Sequence, residues 1–376
     1  MRVLSVVGAR PNFMKLAPVD RALVRRGNVE HVIVHTGQHY DAGMSDAFFE
    51  ELQIPRPDHH LGVGSGSHAV QTAAVMQRLE PVLTELRPDL ALVYGDVNST
   101  LAAALVASKL GLRIGHVEAG LRSGDWTMPE EINRVLTDRL SDLLFAPSRD
   151  AVENLLHEGI PAERIQFVGN VMIDSLVAML PAARALAAPA RHGVASGSYV
   201  VATLHRPSNV DDAGTLRGLL GALEALGAET PVIFPVHPRT RERIQSLQRG
   251  STHTSNVRFL EPLGYLETLS LVASAGLVIT DSGGLQEETT YLGVPCLTVR
   301  PNTERPITCR LGTNRLVAAE RDAILAAARD GAEIRARPRV PIERWDGRAA
   351  ERIVQVICGP SASTDSLPGL AKEHAH

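Results

Sequence analysis

Two carboxylates stand out because each directly follows a predicted buried strand. Asp96 comes after the apolar run at 90–94, and Glu118 comes after the run at 114–117. The carboxyl ends of parallel strands meet at one edge of a sheet, where α/β proteins bind their ligands. Two carboxylates in one cleft repel each other, which shifts their pKa values toward use as a general acid and a general base. Each residue alone is typical of a turn or a helix cap, so the prediction of acid–base chemistry depends on the pair.

A glycine turn indicates a second kind of chemistry, the binding of an anion. The segment 280–288 follows the apolar run at 275–279 and reads as a strand, a turn and a helix. Gly283 and Gly284 allow the backbone to approach a ligand, and a helix that starts near Leu285 would direct free N–H groups at a phosphate. A plain strand-to-helix turn capped by Ser282 fits the same pattern. We interpret the turn as a candidate diphosphate cradle.

Histidines and basic residues follow other predicted strands. His205 and His237 are each typical of a turn or of the core, but the convergence of many reactive types at strand ends favours a site. These residues are Arg10, Asp96, Glu118, His205, His237, Ser282, Glu288 and Arg305. If both sheets face one cleft, the first half supplies carboxylates and the second supplies a phosphate cradle with arginines. That combination predicts a site for a sugar nucleotide.

The elements that position these residues alternate between strand and helix along the whole chain. This pattern predicts an α/β fold of two doubly wound, Rossmann-like domains with a cleft between them. We place the N-terminal domain with the carboxylates at 1–175, the nucleotide-binding domain at 176–358 and a mobile tail at 359–376. The turn after the first strand contains Arg10 and is followed by Lys15, but it lacks the G-x-G-x-x-G spacing that would indicate a nicotinamide cofactor.

Composition narrows the class of protein further. The chain has 376 residues, a net charge of −4 and only 4% aromatic residues, so we expect no nucleic-acid partner. Its three cysteines, Cys296, Cys309 and Cys358, have no zinc-site or disulfide spacing, which predicts no metal and a reducing cytoplasm. We find no apolar run long enough to cross a membrane.

Several motifs, in order from residue 2 to about 355, resemble those of the non-hydrolysing UDP-N-acetylglucosamine 2-epimerases. The motifs are Gly8–Pro11, Gly95–Asp96, His116–Arg122, Pro129–Arg134, Asp281–Glu288 and Thr303–Pro306. The resemblance implies the two-domain glycosyltransferase-B architecture, normally as a homodimer. It also implies reversible conversion of UDP-N-acetylglucosamine to UDP-N-acetylmannosamine without a redox cofactor.

The resemblance implies a mechanism and a role for each matching residue. UDP leaves C1 early, a carboxylate removes the C2 proton to give 2-acetamidoglucal, and protonation from the other face inverts C2. By the resemblance, Asp96, Glu118 and Glu130 are the acid–base candidates, with Glu131 as a substitute for Glu130, and His205 acts on the leaving phosphate. The implied UDP contacts are Arg10, Lys15, Ser282, Gly283, Gly284 and Arg305 for the diphosphate, Glu288 for the ribose, and Leu263 and Thr268 for the uracil.

Two segments depart from the family pattern. Many members have H-R-R-E-N where this chain has His205–Asn209, and many have an Arg-Gln pair within the segment that here reads Gly66–Gln71. Both regions line a second, activating substrate site in some members, so we predict that substrate activation is absent. Two alternatives stay open: a 2-epimerase of another UDP-acetamido sugar, such as a UDP-2,3-diacetamido-uronic acid, or a glycosyltransferase on the same architecture.

Overall fold

The computed structural model describes residues 1–38, 49–248, 256–330 and 340–359, without the side chains of Arg10, Arg239 and Gln248. The predicted tail beyond 359 lies outside the described residues. Among the described residues, no helix is long and apolar enough to span a bilayer.

The first half contains a parallel sheet of seven described strands in the order β3-β2-β1-β4-β5-β6-β7. The strands are β1 (Arg2–Val7), β2 (Glu30–His35), β3 (His59–His60), β4 (Leu90–Tyr94), β5 (Ile114–Val117), β6 (Leu143–Ala146) and β7 (Ile165–Phe167). The helices are α1 (Arg10–Arg26), α2 (His68–Leu86), α3 (Asn98–Lys109), α4 (Pro129–Leu140), α5 (Arg149–His157) and α6 (Val171–Ala185), with a 3₁₀ turn at Ala162–Arg164. Every residue of β4 and β5 is buried, as expected for central strands covered on both faces.

The second half contains a parallel sheet of six described strands in the order β10-β9-β8-β11-β12-β13. The strands are β8 (Val200–Thr203), β9 (Val232–Pro235), β10 (Val257–Leu260), β11 (Leu277–Thr280), β12 (Cys296–Val299) and β13 (Asn314–Val317). The helices are α7 (Ala188–Arg191), α8 (Pro207–Val210), α9 (Ala213–Gly227), α10 (Pro238–Gln248), α11 (Tyr265–Ala273), α12 (Gly283–Leu292), α13 (Pro306–Arg310), α14 (Arg321–Arg329) and α15 (Ala349–Cys358). The prediction of two doubly wound α/β sheets is therefore confirmed.

Helices α6 and α15 connect the two halves. Helix α6 packs on α1 of the first half and on α11 and α12 of the second, and α15 returns to pack on α1. Asp174 of α6 accepts hydrogen bonds from the first two backbone amides of α15, Ala349 N at 3.1 Å and Ala350 N at 2.7 Å. The chain therefore crosses between the halves twice, and the predicted domain limits at 175 and 358 stay predictions.

The strand order places the reactive residues. In a doubly wound sheet, ligands bind where the strand order reverses direction, beyond the carboxyl ends of the two strands at that point. In the first sheet these strands are β1 and β4, which lead to Gly8 and to Asp96. In the second sheet they are β8 and β11, which lead to His205 and to the turn at 281–284. The two sheets thus present their ligand-binding edges through the segments that the sequence predicted.

Candidate active site

Glu118 lies between cations from both halves of the chain. It follows β5, its side chain is buried, and its carboxylate contacts Lys15 Nζ of α1 and Arg305 Nη2, the latter at 3.0 Å. Its backbone has a φ of +77°, a conformation that non-glycine residues adopt rarely and that is common at functional sites. The structure therefore brings the predicted residues Lys15, Glu118 and Arg305 together in one buried cluster.

Arg305 is surrounded by three carboxylates. Besides Glu118, its guanidinium forms ion pairs with Glu304 and with Glu287, whose Oε1 lies 2.9 Å from Arg305 Nε. Burial opposes ionisation of Glu304, but Arg305 and Arg300 hold the pKa of that carboxyl well below its usual range. Burial raises the pKa of Glu287 to about 7, even though Arg305 acts in the opposite direction. Arg305 thus links Glu118 of the first half to Glu304 and Glu287 of the second half through ion pairs.

Gly95 makes room for this cluster. Its φ is +63°, and a Cβ atom added there would lie 2.8 Å from Lys15 Nζ and 3.2 Å from Glu118 Oε2. A side chain at this position would both strain the turn and displace the ion pair. The Gly95–Asp96 motif therefore serves two purposes: it admits the Lys15–Glu118 pair, and it turns the chain so that Asp96 begins the next loop.

Asp96 lies at the end of a row of charged side chains. Its Oδ2 accepts a hydrogen bond from Arg134 Nη2 of α4 at 2.5 Å, and Arg134 also contacts Glu131. Burial opposes ionisation of Asp96, but Arg134, Lys15 and Arg305 together keep its pKa below the usual value. Asp96 is therefore ionised near neutral pH, which is the state in which a carboxylate can accept a proton.

The two adjacent glutamates at the start of α4 have different surroundings. Glu131 is buried and accepts hydrogen bonds from Ser123 N at 3.0 Å and Gly124 N at 2.9 Å, and it also contacts Arg134. Burial opposes its ionisation, but these bonds lower the pKa of Glu131. Glu130 is half-buried and has no hydrogen-bond partner among the described residues. Of the two glutamates, Glu130 is thus the one available to a ligand.

His205 is oriented by a fully buried aspartate. Its Nδ1 lies 2.9 Å from Oδ1 of Asp281, and the His205 side chain is 51% exposed whereas that of Asp281 is 0% exposed. Asp281 also accepts hydrogen bonds from His205 N, Arg206 N and Asn209 Nδ2. Burial opposes ionisation of Asp281, but the hydrogen bond with His205 lowers its pKa. The His205 ring is therefore fixed with its other nitrogen directed away from Asp281.

The glycine turn leads directly into helix α12. Ser282 precedes the helix and makes no side-chain cap, and Gly283 is the first helical residue. The amides of this first turn have no helical partners of their own, which is the arrangement that binds phosphates at helix N-termini. A Cβ atom at Gly283 would lie 2.8 Å from both Arg305 Nη1 and Glu304 Oε1, whereas one at Gly284 would meet only Met172 Cε at 3.5 Å. Gly283 thus accommodates the Arg305 cluster.

The remaining predicted residues lie on several elements of the two halves. Glu288 is buried on α12 and accepts a hydrogen bond from Tyr265 Oη at 3.1 Å, and burial raises its pKa to about 7. Leu263 is partly buried, and Thr268 Oγ1 donates to Gly264 O at 2.9 Å. Two further predicted residues can be placed only by position: His237 is exposed after β9, and Arg10 begins α1, with its side chain outside the described part of the chain.

Sequence reasoning did not assign roles to Arg134, Asp281 and Glu287. The contact between Arg134 and Glu131 could be predicted in part, because Arg134 lies three residues after Glu131 and the two share one face of a helix. Asp281 lies inside the glycine motif but contacts His205 across 76 residues of sequence. Its role depends on the pairing of β8 with β11, which no local pattern reveals.

Comparisons with known proteins point to one family of enzymes. The family model described as UDP-N-acetylglucosamine 2-epimerase matches residues 21–358. The chain is 46% identical to the UDP-2,3-diacetamido-2,3-dideoxy-D-glucuronate 2-epimerase of Pseudomonas aeruginosa, over 88% of this chain and 92% of that protein. It is 42% identical to the UDP-N-acetylglucosamine 2-epimerase of Methanocaldococcus jannaschii, over 95% and 99% of the two chains.

Solved structures give the same result. The crystal structure of the M. jannaschii UDP-GlcNAc 2-epimerase in complex with UDP-GlcNAc and UDP matches with a TM-score of 0.85 at 40% identity, covering 95% of this chain and 99% of that one. The Neisseria meningitidis UDP-GlcNAc 2-epimerase bound to UDP-GlcNAc matches with a TM-score of 0.85 at 32% identity and the same coverage.

The fold is that of a two-domain, glycosyltransferase-B-type protein, with the carboxylates of Asp96 and Glu118 after strands of one half and a glycine turn at a helix N-terminus in the other. Within that class, the chain belongs to the UDP-N-acetylglucosamine 2-epimerase family, whose members are isomerases. The predicted family and enzyme class are confirmed. A glycosyltransferase from Rickettsia africae, at 13% identity and a TM-score of 0.54, shares the fold alone.

Proposed function

We propose that this protein interconverts UDP-N-acetylglucosamine and UDP-N-acetylmannosamine by eliminating UDP to form 2-acetamidoglucal and adding it back. The observation that carries the proposal is the convergence of two acidic groups, Asp96 and Glu118, with the oriented His205 and the glycine turn at 282–284. Elimination needs a base for the C2 proton and a stabilised leaving diphosphate, and addition on the other face needs a second acid–base group.

In this proposal the first half of the chain supplies the acid–base groups for C2, and the second half supplies a proton donor for the leaving group. Asp96, Glu118 and Glu130 supply the acid–base groups, and His205 donates to the departing phosphate. The proposed elimination and addition include no hydride transfer, so the reaction uses no redox cofactor. Inversion at C2 conserves all atoms, because the proton lost from one face of C2 is replaced on the other face while UDP leaves C1 and returns.

The second half of the chain supplies most of the proposed nucleotide contacts. We propose that the amides of 282–284 and the N-terminus of α12 bind the diphosphate, with Arg10, Lys15 and Arg305 supplying positive charge. Glu288 binds the ribose, and the segment from Leu263 to Thr268 receives the uracil. Lys15 and Arg305 act on the diphosphate from positions in which they also contact Glu118.

A second candidate substrate is a UDP-2,3-diacetamido-2,3-dideoxy-D-glucuronate. The 46% identity to the P. aeruginosa enzyme of that name supports it. Both candidates use the same chemistry at C2 and differ only in the groups at C3 and C6.

One experiment tests the reaction and chooses between the substrates. The enzyme is incubated in D₂O with each UDP-sugar separately, and incorporation of deuterium at C2 is followed by NMR. We expect deuterium in UDP-N-acetylglucosamine together with its epimer. Incorporation only in the diacetamido-uronate would transfer the proposal to the second substrate. Incorporation in neither substrate would refute epimerisation.

We also propose that the protein forms a homodimer in the cytoplasm. The exposed apolar side chains Ile132 and Leu136 lie one turn apart on α4, close in sequence to the exposed Trp126. Light scattering should give twice the monomer mass, and Leu136→Lys should reduce it, whereas Leu156→Lys on α5 should not. A monomeric wild-type protein would contradict the dimer.

The absence of disulfides at Cys296, Cys309 and Cys358 supports a reducing compartment.

A further inference from the structure

Asp96, Arg134 and Glu131 form a row of alternating charges that runs from the cleft into the protein. The Asp96 side chain is 24% exposed, whereas those of Arg134 and Glu131 are only 3% and 2% exposed. One guanidinium nitrogen contacts each carboxylate. Asp96 is therefore the member of the row that a ligand in the cleft can reach, and the other two lie behind it.

The buried end of the row is fixed by the backbone. Glu131 accepts hydrogen bonds from Ser123 N at 3.0 Å, from Ser123 Oγ at 2.9 Å and from Gly124 N at 2.9 Å. These bonds fill the lone pairs that Arg134 does not use, so the Glu131 carboxylate cannot rotate without losing them. A planar guanidinium bonded to a fixed carboxylate has few other orientations. Glu131 thus determines where Arg134 points.

Helix α4 also holds the backbone of Asp96. Asn133, next to Arg134, donates from Nδ2 to Asp96 O at 2.8 Å. The aspartate is therefore attached to α4 at its carbonyl and at Oδ2. Oδ1 has no hydrogen-bond partner among the described residues and is the oxygen left for a substrate proton.

We propose that Arg134 is a positioning residue for the proposed epimerisation: it holds Asp96 by one carboxylate oxygen so that the other faces the sugar as a proton acceptor. The inference rests on the proposed function. In the step it serves, the C2–H pair forms the C1=C2 bond, the C1–O pair leaves with UDP, and the proton passes to Asp96. Arg134 touches only protein groups and acts through Asp96.

The charges around Asp96 support this role. The cations that face it are Arg134 from α4, Lys15 from α1 and Arg305 from the loop before α13, and the acidic Glu304 faces Arg134 from the second half. The pKa of Asp96 is lowered although burial opposes its ionisation. Removing one of the three cations should therefore raise the pKa of Asp96, so that Asp96 loses its proton and can act as a base only at a higher pH.

The test compares Arg134→Gln, Arg134→Lys and a matched control, Arg164→Gln. Arg164 is a partly buried arginine of the same half whose guanidinium donates to backbone carbonyls, including Arg139 O at 3.2 Å. For Arg134→Gln we expect kcat to fall by about 10–100-fold, with KM changed less than about threefold, because a misplaced acid–base group slows the chemical step rather than binding. The acidic limb of the kcat/KM profile should move to higher pH by about 1 unit, because an adjacent arginine lowers a carboxylate pKa by about 1–3.

Arg134→Lys separates charge from geometry. Lysine keeps the cation but cannot bond two carboxylates with a rigid planar fork, so we expect the acidic limb to return toward its wild-type position while kcat stays reduced. An unchanged limb and kcat in Arg134→Gln would overturn the proposal. If Arg134→Gln shows no cooperative thermal transition, Arg134→Lys decides, and a wild-type kcat in that variant would overturn the positioning role.

The readouts also distinguish this inference from the proposed function. Wild-type enzyme and Arg164→Gln must incorporate deuterium at C2 in D₂O. Failure of the wild-type protein to do so would refute the epimerase, whatever Arg134 does. Normal incorporation in the wild type with no change in Arg134→Gln would refute only the role of Arg134.

Discussion

Replacing Gly283 with alanine tests whether the glycine turn supports the acid–base groups as well as the nucleotide. The new Cβ atom would lie 2.8 Å from Arg305 Nη1 and from Glu304 Oε1. Ordinary van der Waals contact begins near 3.4 Å, so the Arg305 side chain must move by about 0.6 Å. Because Arg305 holds Glu118, the displacement passes to a carboxylate of the other half.

The expected magnitudes follow from this displacement. A misplacement of about 1 Å costs about 100-fold in rate, so we expect kcat to fall by about tenfold. Overpacking costs roughly 1–3 kcal/mol, and the gain from replacing glycine with alanine offsets about 0.4–1 kcal/mol of it. Gly283→Ala should therefore lower the free energy of unfolding by about 1–2 kcal/mol.

The adjacent glycine provides a matched control. A Cβ atom at Gly284 would meet only Met172 Cε at 3.5 Å, so Gly284→Ala should leave the thermal midpoint unchanged or slightly raised. Thermal unfolding and initial rates are measured for both variants, and ³¹P NMR follows any free UDP. We expect release of UDP and glucal with Gly283→Ala, because a displaced cradle holds the intermediates less tightly. Equal midpoints and equal kcat values in the two variants would refute this reasoning.

Three further predictions concern acid–base chemistry, stability and regulation. Asp96→Asn should lower turnover by roughly 10²–10⁴-fold, and wild-type turnover would remove Asp96 from the mechanism. Burial raises the pKa of Glu288 from an ordinary 4.5 to about 7, so its contribution to stability is full below pH 4.5 and is lost as the pH rises through 7. Urea unfolding should show that Glu288→Gln gains up to about 3 kcal/mol over the wild type at pH 8 but little at pH 4.5. Initial rates with UDP-N-acetylmannosamine alone should be hyperbolic, since activation is predicted to be absent, and sigmoidal rates restored by traces of UDP-N-acetylglucosamine would contradict this.

The sheets and their functional edges could be predicted because the central strands are strongly apolar. The runs at 90–94 and 277–280 are buried throughout, and each ends in a polar motif at the edge where ligands bind. The edge strands were harder to predict from the sequence. β3 has only the two residues His59–His60, and the sequence of β13, Asn314–Val317, does not alternate between apolar and polar residues. Such strands form because a neighbouring strand offers its backbone, which a local pattern does not show.

The partners of the reactive residues were harder to predict than the residues themselves. The adjacent positions of Glu130 and Glu131 do not by themselves show which glutamate faces the protein interior. The helical period shows it, because Glu131, Arg134 and Asp138 lie on one buried face of α4. Lys15 and Arg305 were expected near the diphosphate from the resemblance, and their contacts with Glu118 follow from the packing of two distant halves. Long-range ion pairs of this kind depend on tertiary structure alone.

The ion pairs around Arg305 link the two halves of the chain at the candidate active site. Glu118 belongs to the first sheet, but one of its two cations, Arg305, comes from the second half and is itself held by Glu304 and Glu287. A buried carboxylate that loses one of its paired cations is strongly disfavoured, so Glu118 would not keep this position in the first half alone. The glycine turn contributes to the same arrangement, because only glycine at 283 leaves space for the Arg305 guanidinium. The turn that we propose binds the leaving group and the carboxylates that we propose move the proton are therefore coupled through one arginine.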